Sequence, residues 1–139
     1  METEVRQLGV QSLVVPCDVS DPEQVESLFN KTEQRFGGLE ILVNNAGLIK
    51  PIGPIEETNP VEWMKTIMVN LFGTYNCSRA AVPIMRKRGY GKIINMSGGG
   101  ATSANPFFTA YSASKAGVVR LTDTLAAELK ESHIDVNAI

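Results

Sequence analysis

Tyr111 and Lys115 are separated by three residues in the stretch Tyr111-Ser112-Ala113-Ser114-Lys115. On a helix that spacing puts both side chains on one face, about one turn apart. A tyrosine has a reference pKa of about 10 and is a poor acid or base near neutral pH. A neighbouring ammonium favours the phenolate and lowers that value. The tyrosine can then exchange a proton with an alcohol or carbonyl oxygen. A serine hydroxyl nearby could orient the same oxygen, and Ser97 stands upstream at the head of Gly98-Gly99-Gly100. An isolated pair of this kind is more often a surface tyrosine beside a solvated lysine, so its weight depends on where the fold puts it.

The elements that must position these residues alternate along the chain. Residues 12–17, 40–44 and 92–96 are short apolar runs that read as strands, and the final residues 134–139 read as the start of a fourth. Between them lie helical patterns. The first follows Ser20, expected as its cap with Glu23 three residues on and Pro22 in the first turn. Val25, Leu28, Phe29, Thr32 and Phe36 fall on one face of it, and Gly37-Gly38 ends it. Asn59 caps the second helix with Pro60 at its first position, and Gly73 and Pro83 predict a bend before residue 88. A third helix spans about 110–131, with Val118, Leu121, Leu125 and Leu129 on one face. Residues 1–8 read as the end of a polar helix stopped by Gly9. Short apolar strands separated by helices indicate an α/β fold, a doubly wound parallel sheet covered on both faces. Ligands bind such sheets at the carboxyl ends of the strands.

Three groups follow the strands. Asp18-Val19 comes after the first, where Asp18 could accept hydrogen bonds from a ligand amino group or could belong to the cap of the next helix. Asn44-Asn45-Ala46-Gly47 comes after the second. Its amides could hydrogen-bond a ribose or satisfy a turn, and Ala46 and Gly47 let a flat ligand approach the backbone. Tyr111 and Lys115 come after the third.

Together, DVSD, NNAG and YSASK in this order resemble the classical short-chain dehydrogenase/reductase family, in particular its 3-oxoacyl-acyl-carrier-protein-reductase-like members. The resemblance covers nearly the whole chain. It implies a Rossmann-type fold, residues 1–139 forming a single partial NAD(P)-binding domain. It implies an oxidoreductase that moves hydride between NAD or NADP and a carbonyl or secondary alcohol. By resemblance, Asp18 and Val19 contact the adenine end of the cofactor, and Asn44, Ala46 and Gly47 line the nucleotide and steady the central strand. Tyr111 is the acid/base, and Lys115 holds the nicotinamide ribose and acts on Tyr111. Asn70 matches an asparagine that supports a proton-relay water.

The chain departs from that pattern in two ways. The family serine lies thirteen residues before the tyrosine, which here is Gly98, and Ser97 lies fourteen before. Ser97 is expected to fill the role through the flexibility of the glycines, with Thr102, Ser103 or water as the alternative. The family's first strand–turn–helix with its glycine-rich phosphate loop has no counterpart here, and the final strands and substrate lid lie beyond Ile139. The chain therefore reads as truncated at both ends and is expected, alone, to bind a nicotinamide cofactor weakly or not at all. The alternative function is an incompetent fragment or a non-catalytic oligomerisation or regulatory module. The helices at about 60–88 and 110–131, with Gly73, Ala80, Ala81, Ala113, Ala116 and Gly117, are expected to form a homodimer or homotetramer.

Bulk properties remove other classes. The 139 residues are 43% hydrophobic and 20% charged, with a formal net charge of −2 and no basic run suited to nucleic acid. No apolar run approaches the roughly 20 residues that span a bilayer. The charged N-terminus does not read as a secretion signal. Cys17 and Cys77 read as buried free thiols of a reducing, cytoplasmic compartment. A lone histidine, His133, argues against both a metal site and a serine–histidine triad. Phe107 and Phe108 are candidates for an apolar substrate wall or for core packing, and the substrate itself is not legible.

Overall fold

The computed structural model describes Val5 and residues 7–139. The expected N-terminal helix lies largely outside the described residues; Gly9 follows it with a φ of 77°.

Helix α1, Pro22–Phe36, begins one residue later than the Ser20 cap predicts. Asp21 is the cap, its Oδ1 accepting from Glu23 N at 2.9 Å and Gln24 N at 3.3 Å. A carboxylate at that position answers both the orphan N–H groups and the positive end of the helix dipole. Ser20 is committed elsewhere, donating through its N–H and hydroxyl to Asp18 Oδ1. Gly37, in the left-handed region at φ 78°, closes the helix by donating to Glu33 O at 2.8 Å.

Strand β1, Ile41–Asn44, leads through a long loop to α2, Pro60–Ile67. Asn59 caps α2 as expected, accepting from Val61 N and Glu62 N. A π-helical turn, Met68–Phe72, separates α2 from α3, Gly73–Arg88. Pro83 lies inside α3 without ending it. Strand β2, Gly91–Asn95, and α4, Thr109–Leu129, follow, and β3, Ile134–Ala138, completes the series.

The strands form a parallel sheet in the order β1-β2-β3, with Asn44 beside Asn95 and Asn95 beside Ala138. This is the Rossmann-like alternation of parallel strands and helices. The first predicted strand is different. Residues 12–17 form no ladder, and Leu13 and Val14 are exposed. A strand needs a partner for its N–H and C=O groups, and among the described residues the free edge of β1 has none.

One core holds the sheet to its helices. Val25 and Phe29 of α1, Cys77, Ala81 and Met85 of α3, Ile93 of β2, Leu129 of α4, and Ile134 and Val136 of β3 are buried together. Among the described residues the helices thus share one face of the sheet. Ile41 and Val43, which alternate with the inward positions of β1, are 57% and 52% exposed. Of the small residues proposed for contact between copies, Gly73 and Gly117 pack within the chain, while Ala113 and Ala116 are exposed. A Cβ on Gly73 would lie 2.5 Å from Val19 Cγ2, and one on Gly117 would lie 2.8 Å from Leu71 Cδ2. Among the described residues no helix is long and apolar enough to cross a membrane.

Candidate active site

Tyr111 lies in the first turn of α4 and Lys115 one turn further on. Lys115 is only 6% exposed, and its Nζ donates to Met96 O, just past β2, at 2.6 Å. Burial lowers its pKa from the ordinary 10.5, because the apolar surroundings penalise the charged form. The ammonium sits 5.7 Å from the centroid of the Tyr111 ring, within the range of cation–π attraction. Gly47, exposed past the end of β1, faces the same place. A Cβ there would stand 3.5 Å from Asn70 Oδ1 and 3.8 Å from Lys115 Nζ. Residues from three parts of the sequence therefore converge at the carboxyl ends of β1 and β2, where an open α/β sheet offers a ligand site.

Asn70 is the hinge of this arrangement. It lies in the π-helical turn and is 1% exposed. Its Oδ1 accepts from Leu48 N at 2.7 Å, and its Nδ2 donates to Leu48 O at 2.8 Å and to Ser114 Oγ at 2.9 Å. Ser114 in turn donates to Tyr111 O at 2.7 Å. Single π turns inside helices concentrate at functional sites. Here the turn aims an amide across to the loop after β1 and to the helix that carries Tyr111 and Lys115.

The remaining expected residues divide by what they touch. Asn44 is buried and directs its Nδ2 inward, to Asn95 Oδ1 at 2.8 Å and Ser78 Oγ at 3.2 Å. It ties β1 to β2 and α3, while Ala46 and Gly47 stay open. Asp18 holds a turn: its Oδ1 takes both bonds from Ser20, which draw its pKa below the ordinary carboxylate value. Val19 packs on Gly73, and its carbonyl accepts from Asn76 Nδ2 at 3.0 Å. Sequence reading missed Asn76, Asn95, Ser78, Ser114 and Thr122. Thr122 accepts from Asn95 Nδ2 at 2.9 Å and donates to Val118 O. Ser114, Val118 and Thr122 recur every four residues along α4. Hydroxyls at helical spacing beside an apolar stripe were the available signal.

The loop after β2 brings Gly98 to Tyr111. Gly98 is extended, at φ 169° and ψ 164°, and a Cβ built on it would lie 2.3 Å from the Tyr111 hydroxyl. Ser97 precedes it in line with the sheet, its N–H donating to Ile139 O at 2.7 Å. The position thirteen residues before the tyrosine lies against the phenol.

Two further contacts frame the site. Trp63 Nε1 donates to Thr109 Oγ1 at 3.0 Å, and Gly53 N donates to Phe107 O at 3.0 Å. Phe107 is 57% exposed and adopts a φ of 71°, an unusual backbone for a bulky residue. It does not fill the core.

The chain matches the model of the short chain dehydrogenase family over residues 1–139. It is 40% identical over 124 residues to the D-beta-hydroxybutyrate dehydrogenase of Rhizobium meliloti, covering 89% of this chain and 48% of that protein. Among solved structures, a 3-ketoacyl-ACP reductase from Sinorhizobium meliloti superposes with a TM-score of 0.95 at 38% identity, over 99% of this chain and 55% of that one. A gluconate 5-dehydrogenase from Burkholderia cenocepacia, in complex with NADP and tartrate, superposes with a TM-score of 0.92 at 33% identity, over 99% and 53%. The chain thus spans about half the length of these relatives. With the family model matched from end to end, and a parallel sheet whose strand ends gather Gly47, Asn70, Tyr111 and Lys115, the chain belongs to the short chain dehydrogenase family.

Proposed function

We propose that the protein carrying this chain transfers hydride reversibly between NAD or NADP and a carbonyl or secondary alcohol. The observation that carries the reading is the buried Lys115 ammonium held between Tyr111 and the open backbone of Gly47. An ammonium has three donors, and one of them goes to Met96 O. A cationic donor set beside a residue without a side chain suits the hydroxyls of a ribose.

In this reading Asp18 and Val19 face the adenine end, Asn44, Ala46 and Gly47 follow the nucleotide, and Lys115 and Tyr111 meet the nicotinamide ribose. The nicotinamide, when bound, supplies or accepts the hydride. Tyr111 gives a proton to the substrate oxygen in reduction and takes it back in oxidation. Lys115 binds the ribose and places positive charge beside the phenol. Asn70 holds the Leu48 backbone and, through Ser114, the first turn of α4 in register. Ser97, one residue before the Gly98 that lies against the Tyr111 hydroxyl, orients the same substrate oxygen in this reading, with Thr102, Ser103 or water as the alternative.

Two coarser features belong to the same proposal. Val61, Met64 and Tyr75 are exposed along the helices of residues 60–88, which favours pairing of copies through that face, measurable by light scattering. A cytoplasmic location accords with two free cysteines.

The test uses the intact protein with NAD or NADP and a panel of small secondary alcohols that begins with D-beta-hydroxybutyrate. Appearance of reduced nicotinamide is expected, and Tyr111→Phe should nearly abolish it. Undiminished turnover by Tyr111→Phe, or failure of both cofactors to bind the intact protein, overturns the reading.

A further inference from the structure

Four apolar side chains stand exposed beside the site: Leu48, Ile49 and Ile52 in the loop after β1, and Phe107 just before α4. The segments that carry them are anchored. Asn70 grips Leu48 at both backbone groups, the Lys50 carbonyl accepts from Thr66 Oγ1, and Gly53 N donates to Phe107 O at 3.0 Å. Asn70 and Thr66 are both buried, so two of the three anchors come from the interior. The third joins the loop after β1, next to Ile52, to the segment that enters α4. Phe107 keeps a φ of 71°, a strained backbone for a bulky residue, which persists only where the surroundings enforce it and which clusters at ligand clamps. Apolar side chains held outward together mark a surface that meets a ligand or partner.

We propose that this anchored apolar rim selects the substrate, an alcohol or ketone that carries an uncharged hydrocarbon chain beside its reacting carbon. This rests on the reading of Tyr111 and Lys115 as the hydride-transfer site. The rim is continuous with that site at both ends. Leu48 follows Gly47, where a Cβ would lie 3.8 Å from Lys115 Nζ, and Phe107 stands one helical turn's worth of chain before Tyr111. No charged residue occurs in residues 41–49 or 97–110, the two segments that bracket the site. Lys115 donates to Met96 O, and in this reading its other donors serve the ribose. Lys50, the one cation of the loop, lines a cavity of about 350 Å³ where Glu57 and Glu62 face the same space. A substrate carboxylate laid against the rim would lose hydration and gain no partner. A hydrocarbon chain laid there removes apolar surface on both sides from water.

The experiment measures kcat/KM of the intact protein, with NAD and with NADP, for D-beta-hydroxybutyrate, 2-butanol and 2-octanol. The two neutral alcohols share a reacting centre and differ in chain length, while D-beta-hydroxybutyrate has the short chain and a charge. 2-Octanol should exceed 2-butanol roughly 10-fold or more, the scale on which apolar sites discriminate by methylenes, and D-beta-hydroxybutyrate should rank last. The ratio of 2-octanol to 2-butanol should fall several-fold in Phe107→Ala and in Ile49→Ala, and Phe107→Leu should restore most of it. A residue that only supported the fold would lower both alcohols alike and leave the ratio in place. D-beta-hydroxybutyrate as the best of the three, 2-octanol no better than 2-butanol, or a ratio unmoved in either alanine variant overturns the proposal. Should Phe107→Ala fail to fold, Ile49→Ala alone decides. An oligomer that dissociates in Phe107→Ala by light scattering, with the ratio unchanged, assigns the rim to a second copy and overturns the proposal as well. Oxidation of no alcohol in the panel with either cofactor removes the underlying reading instead.

Discussion

Asn70 grips Leu48 at both backbone groups, accepting its N–H at 2.7 Å and donating to its carbonyl at 2.8 Å. The residues are 22 apart in sequence, and the grip joins the loop after β1 to the π-helical turn before α3. The second hydrogen of the amide reaches Ser114, so a single side chain organises three segments around Lys115 and Tyr111.

Removing that side chain leaves a backbone donor and acceptor unpaired. Asn70→Ala should lower the unfolding free energy by about 1–3 kcal/mol, the cost of leaving partly buried polar groups without partners. Asn70→Asp keeps the acceptor for Leu48 N but turns an oxygen toward Leu48 O, so it should rescue little of the loss. Urea denaturation of the two variants checks this, and Asn70→Asp as stable as the parent would contradict the two-point grip.

Lys115 links stability to pH. Burial lowers its folded pKa below the ordinary 10.5. Between the folded and unfolded values the unfolded chain binds more protons, so stability rises with pH across that window. Below the folded value the charged group is buried at a cost. Lys115→Met should therefore be at least as stable as the parent at neutral pH while losing turnover. Its relative advantage should shrink as the pH approaches 10.5. Paired denaturant titrations at neutral and alkaline pH measure the difference, and an advantage that grows with pH would reverse the sign of the argument.

The two thiols should differ in reactivity. Cys77 is buried in the core, and loss of solvation pushes its pKa up to about 11. Cys17 is also shifted up, chiefly by burial and then by Asp18 and Asp21, but it is only partly covered. The thiolate is the reactive form, so iodoacetamide at mildly alkaline pH should label Cys17 first and Cys77 only on unfolding. Mass spectrometry of the labelled peptides reads the order, and equal labelling in the folded protein would place Cys77 outside the core.

Much of the site was legible because its signals are short. Tyr111 and Lys115 needed only helical spacing, and the boundary residues Asn59, Pro60 and Gly37 needed only capping chemistry. The cap at Asp21 was misplaced by one residue because Ser20 and Asp21 are both good caps, and the choice turned on Asp18 drawing Ser20 away. The Asn44–Asn95 bond was not legible, because it joins residues 51 apart whose meeting depends on strand register.

By itself the sequence determined the order of helices and strands, the strand-end clusters and the family resemblance. Each rests on patterns contained within a few neighbouring residues. The tertiary structure decided what those residues face. It left residues 12–17 without a ladder, because a strand exists only where another offers its backbone. It turned Gly73 and Gly117 into internal contacts. It also set Gly98 against the Tyr111 hydroxyl. Which of two adjacent residues meets a third depends on the direction of the chain as it leaves the sheet, and spacing along a sequence carries no such direction.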